Sequence, residues 1–263
     1  MGGALAVLGV ATYLTRADAS GFLPKQVVPT RVMVRVVSRD GKIIGSGVGG
    51  ARVRITDAES GKLLAEGKQE GGTGDTERIL NPSPGGRGNR YDTEGAAGFQ
   101  AEVMLSEPTF VTITGTGPLD YTQATGSTSK TMLLLPGRHV EGDGVVLELN
   151  GFIVEVTSPE SGARVGEDFP VAARVRLMCG CVLEPGGLWD SETKTFLARL
   201  KADGEVVSTS SLHFSGEASV FEGTVTVPIT ARGAELALEV LAADSAMGNF
   251  GRHQISLRGL GGS

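Results

Sequence analysis

The sequence predicts an all-β protein: two consecutive antiparallel β-sandwich domains behind a short apolar N-terminal segment. Three observations carry that expectation. Val-rich runs alternate with polar residues at a period of two, the pattern of half-buried strands. Turn residues separate these runs at sandwich spacing. The 263-residue chain holds 40 glycines against 9 Phe, 3 Tyr and 1 Trp, which implies frequent turns and few long helices. Its length exceeds one ordinary sandwich and suits two, each with its own core. The expected division is an apolar segment over 1–20, a linker over 21–30, one sandwich over 31–150 and another over 151–263.

The N-terminal run, residues 1–14 (MGGALAVLGVATYL), is uncharged and mostly apolar. Ala17-Asp18-Ala19 then has the small-x-small form of a signal-peptidase site. Arg16, Lys25 and Arg31 follow the run, an order that points the other way on the positive-inside rule. At 14 residues the run is also shorter than the roughly 20 that span a bilayer. A signal peptide, a retained membrane anchor and an ordinary packed N-terminal element are the three readings. The first two place the body in the periplasm or at the cell surface, tethered to a membrane.

In residues 31–38 (RVMVRVVS), Val32, Val34 and Val36 alternate with Arg31, Met33 and Arg35, so the valines face a core. A turn centred on Asp40-Gly41 follows, then Ala51, Val53 and Ile55 alternate with Arg52, Arg54 and Thr56. A further turn leads to a strand over 63–66. Three strands this close leave no room for a crossover helix, so antiparallel pairing is expected. Residues 68–98 break the rhythm with Gly pairs and Pro steps, and read as a long irregular loop. Such loops often make contacts, which makes Arg87, Arg90 and Tyr91 candidate interaction residues. Strands resume over 99–105, 109–116, 128–135 and 145–150.

Asp40-Gly41-Lys42-Ile43-Ile44, the Gly50-Ala51 step into a strand, Gly61, Thr93-Glu94-Gly95 and Gly98-Phe99 together resemble a carboxypeptidase regulatory-like, transthyretin-type sandwich. The resemblance spans about residues 31–150 and implies a non-catalytic module. Ser46-Gly47-Val48-Gly49 and the long loop are insertions against that pattern.

Strands in the second half are expected from Phe152 and over 169–178, 196–202, 206–212, 220–228, 234–243 and 253–257. Residues 234–243 also suit a helix, since Ala, Glu and Leu favour one. Ser158-Pro159 with Gly162, residues 221–225 (FEGTV) and residues 242–249 (AADSAMGN) resemble a bacterial immunoglobulin-like domain, without an inter-sheet cysteine pair.

A net charge of -6 and the absence of a Lys/Arg run argue against a nucleic-acid partner. Residues 45–50 fit G-x-G-x-x-G, but a strand follows where a dinucleotide site needs a helix N-terminus, so this is read as a loop. Histidines 139, 213 and 253 are scattered, and no nucleophile is paired with any of them. No catalytic residues are assigned.

The sharpest local feature is Met178-Cys179-Gly180-Cys181. Its three sulfurs suit soft Cu(I), its two thiols suit a local disulfide, and both also suit plain burial. Leu188 and Trp189, which follow among turn residues, are further candidate interaction residues, with Trp189 either plugging the sandwich end or protruding as an interface anchor. No resident cofactor is expected beyond that possible copper. The function expected is a membrane-tethered structural or adaptor subunit whose partners are protein subunits of a larger membrane complex, for example an energy-transducing one. A glycan-binding module and a copper carrier are the alternatives.

Overall fold

The computed structural model describes residues 26–81, 89–159 and 162–257. The expected signal or anchor segment lies outside the described residues, as does Arg87.

The first half folds as β1 (Val28–Ser38), β2 (Ala51–Asp57), β3 (Leu63–Gln69), α1 (Thr76–Leu80), β4 (Phe99–Leu105), β5 (Thr109–Gly117), β6 (Gly126–Leu134) and β7 (Val140–Leu149). One sheet runs β4-β1-β7 and the facing sheet β3-β2-β5-β6. The alternation read from the sequence holds where a face meets the core: Val32, Val34, Val36, Val53 and Ile55 are fully buried. Pairing is less local than expected. β2 pairs antiparallel with β3, but β1 lies in the opposite sheet, antiparallel to β4 and parallel to β7. A period of two tells which side chains point inward, and both sheets of a sandwich satisfy it equally.

The second half comprises β8 (Phe152–Ser158), β9 (Asp168–Leu177), β10 (Thr195–Ala202), β11 (Glu205–Ser211), β12 (His213–Phe214), β13 (Val220–Thr226), β14 (Leu236–Asp244) and β15 (Asn249–Leu257). Its sheets run β12-β13-β9-β8 and β11-β10-β14-β15. In chain order that is first and second strands with the fifth and sixth, facing third and fourth with the last two, which is immunoglobulin-like. Phe196 stacks on Phe221 between the sheets, with ring centroids 3.8 Å apart. β14 is a strand, although its composition also suits a helix. Hydrogen bonding to β10 on one side and β15 on the other outweighs a local propensity of a few tenths of a kcal/mol per residue.

Residues 68–81 and 89–98, the described parts of the expected loop, are more ordered than their composition suggests. β3 extends to Gln69, isolated bridges join Glu70 to Gly98 and Gly72 to Ala96, and α1 is capped by the Asp75 carboxylate accepting from the Arg78 amide. Ile79, Tyr91 and Ala97 build a small third core with Val37 and Ile43. The Asp143 carboxylate pins this strap by accepting the backbone N–H groups of Arg90, Tyr91 and Asp92 at 2.7–2.9 Å. The strap also covers Arg35, whose side chain the alternation places outside. It is 3% exposed, bonded to the Asp92 carboxylate at 2.8 Å and the Ala97 carbonyl at 2.7 Å.

Candidate functional site

Only Asn150 and Gly151 separate β7 from β8, and the two halves meet closely there. Ile153 and Met178, from the second half, are buried in the core of the first. Cys179, the next residue along, belongs to the core of the second. The Met178-Cys179-Gly180-Cys181 segment therefore sits at the seam between the sandwiches.

β9 ends in a tight turn. The Gly180 amide donates to the Leu177 carbonyl at 2.8 Å, and the Leu177 amide to the Cys181 carbonyl at 3.1 Å. Gly180 is left-handed, at φ +82°, and a Cβ on it would stand 2.8 Å from Val48 of the first sandwich. Glycine is thus required for both conformation and space. The turn presses the two cysteine sulfurs against each other, 2.7 Å apart. Cys179 is buried at 4% exposure, whereas Cys181 is half-buried. Hydrogen bonding from Cys181, aided by the Lys42 amide, outweighs burial and lowers the Cys179 pKa to about 7. Cys181 moves the opposite way, raised by the same bond and by burial.

The partner surface is the Asp40-Gly41 turn of the first sandwich. The Lys42 amide donates to Cys179 Sγ at 3.5 Å, and Trp189 Nε1 donates to the Asp40 carbonyl at 2.6 Å. Arg39 bridges Glu148 of its own half, at 2.7 Å, and the Met247 carbonyl of the other, at 3.2 Å. Burial raises the Asp40 carboxyl above its ordinary pKa, opposed mainly by the charge of Lys194. Lys194 is itself buried against Asp244 at 3.0 Å.

A second group of contacts closes the junction. Arg176 donates to the Tyr121 hydroxyl at 2.7 Å and to Glu155 at 2.8 Å, with its guanidinium over the Tyr121 ring. The Gln123 amide reaches the Val154 carbonyl at 3.4 Å, and the Asn150 amide the Gly248 carbonyl at 3.2 Å. The Gly151 amide bonds the Asn249 side chain.

The structure separates the sequence candidates. Cys179, Cys181 and Trp189 converge on the junction. Trp189 is half-buried and clasps the other sandwich, a role intermediate between plug and protruding anchor. Leu188 is 62% exposed. Met178 packs its thioether into the first core beside Gly151 and Gly126, so the two cysteine sulfurs are the soft donors set in contact. Tyr91 is buried in the third core, with Arg90 over its ring and bonded to the Ile79 carbonyl at 2.8 Å. Asp40, Lys42, Tyr121 and Arg176 were not legible as junction residues, because turn and strand residues carry no mark of what packs against them.

Among the described residues no three His, Cys, Asp or Glu side chains gather as a metal site. His139 and His253 each accept a backbone N–H through Nδ1, from Arg31 and Val156. A cavity of about 970 Å³ at the far end of the second sandwich is lined by both signs of charge, including Lys201, Asp203, Arg232 and Glu235.

No family model and no curated protein matches the chain. Among solved structures it is similar to the fibronectin(III)-like modules of Clostridium thermocellum CbhA, at 11% identity and a TM-score of 0.27. The match covers 88% of this chain and 93% of that one.

Proposed function

We propose that this protein is a non-catalytic structural adaptor, tethered to a membrane by its N-terminal segment on the extracytoplasmic side and docking on a larger membrane assembly. The observation that carries this reading is the junction. Two sandwiches linked by two residues and clasped through Trp189, Arg39 and Arg176 suit a part that fixes one partner relative to another. Exposed Leu188 and Ile229, at 62% and 72%, offer apolar anchors for such partners. The Asp40-Gly41 turn and Gly50-Ala51 step support assigning the first sandwich to the carboxypeptidase regulatory-like type, whose modules are generally non-catalytic.

Among the described residues no helix is long and apolar enough to cross a membrane, so the tether rests on the sequence of residues 1–20. The test is gentle detergent extraction of the native protein, followed by native gels, mass spectrometry of co-purifying chains and mapping of the N-terminus. Co-migration with membrane-protein subunits is the expected result. A monomer free of partners overturns the adaptor reading.

A further inference from the structure

We propose that Cys179-Gly180-Cys181 is a thiol–disulfide exchange site, taking low-molecular-weight disulfides as substrate, and that its redox state sets how firmly the Asp40-Gly41 turn is held at the junction. These are the chain's two cysteines, and the turn through Gly180 already holds their sulfurs in contact. Their environments divide the labour. Cys181 is half-buried beside exposed Val182 and meets a small disulfide, while buried Cys179 stands behind it.

The chemistry balances with an external disulfide as oxidant. Cys181, its proton taken up by the Cys179 sulfur it touches, attacks one sulfur of oxidised glutathione, which breaks that S–S bond, forms a mixed disulfide and releases one glutathione thiolate. The Cys179 thiolate then attacks Cys181 Sγ, forming the Cys179–Cys181 bond and expelling the second glutathione thiolate. The protein gives up two protons and two electrons, and the oxidant leaves as two molecules of reduced glutathione. Once Cys181 is held in the mixed disulfide it has no proton to donate, and the Lys42 amide favours Cys179 as the resolving thiolate, its proton leaving to solvent.

Oxidation reaches the junction through Lys42. A thiolate is a strong acceptor for the Lys42 N–H, and a disulfide sulfur is a weak one. Lys42 lies two residues from Asp40, whose carbonyl holds the Trp189 indole. Forming the bond therefore weakens the hold on the turn at one end of a short, shared segment. Trp189 is the chain's single tryptophan, so its fluorescence reports that hold directly.

The full chain, reduced and then equilibrated in glutathione buffers of graded redox ratio, tests both halves by intact mass and tryptophan emission. The expected result is loss of two hydrogens with no glutathione retained, and an emission change that follows the same midpoint. Cys179→Ser is expected to stop at a glutathione adduct on Cys181, and Cys181→Ser to react far more slowly. Retention of both thiols at every ratio, or a stable glutathione adduct on the unmodified chain, overturns the exchange site. Oxidation with unchanged emission overturns the link to the junction. The mass reading needs no variant to fold, and neither outcome bears on the adaptor reading.

Discussion

Cys179 ionises early because its neighbour, held two residues away by a left-handed glycine, donates to it. Replacing Cys181 with alanine removes that donor, so the thiolate absorbance midpoint is expected to rise from about 7 toward the ordinary 9.0. A midpoint still near 7 would mean that the Lys42 amide alone is sufficient. The depressed pKa also gives the reduced protein a stability that is full above 9.0 and lost as pH falls through about 7. Cys181, raised in the fold, withdraws stability above 9.0, where only the unfolded chain ionises it. Urea midpoints of the reduced chain should therefore climb between those values, and Cys179→Ser should abolish the climb. Arg35 illustrates what residue type conceals. Alternation placed it in solvent, and burial under the strap became possible because Asp92 and the Ala97 carbonyl receive its guanidinium. Arg35→Met keeps the bulk but leaves these acceptors unpaired, and should cost about 2 kcal/mol in denaturant unfolding.

Elements were legible where periodicity and burial coincide. Phe99 to Leu105 stands where the alternation of Ala101, Val103 and Leu105 sets it, because one face of that strand meets the core. The strap between β3 and β4 was not legible, since its order comes from a distant carboxylate. Asp143, on β7, holds three successive amides whose own residues carry no strand or helix pattern. Asp143→Ala is expected to cost about 1–3 kcal/mol locally and to speed proteolysis within residues 89–98, while the circular dichroism of the sheets stays unchanged. Equal proteolysis rates would show that the third core suffices to hold the strap. β14 also buries Glu239, 1% exposed, between Arg199 and Lys201. Burial pushes that carboxyl up, yet those cations prevail and leave it below its ordinary value.

At the scale of the whole molecule, depressed carboxyls set an acid limit. Glu239 and Asp244, the latter lowered against burial by Lys194, contribute stability above their ordinary values of 4.5 and 3.8 that is lost as pH falls below them. Glu239→Gln should flatten the acid limb of a stability–pH curve, measured by thermal unfolding. The junction predicts cooperativity between the sandwiches. Calorimetry should show one transition for the native chain and two for a Trp189→Phe/Arg176→Met variant, which lacks a bond on each side of the contact. A single transition in that variant would show that the shared burial of Ile153 and Met178 couples the halves by itself.

The sequence by itself determined the all-β class and the inward faces of most strands. Each of these follows from local alternation and turn chemistry, which act over a few residues. Tertiary structure alone decided that β1 lies between β4 and β7, that Arg35 and Tyr91 are interior, and that the cysteine turn and Trp189 clasp the Asp40-Gly41 turn. Those outcomes depend on contacts between residues far apart in the chain. A strand pattern records which side is apolar and leaves open what it will face.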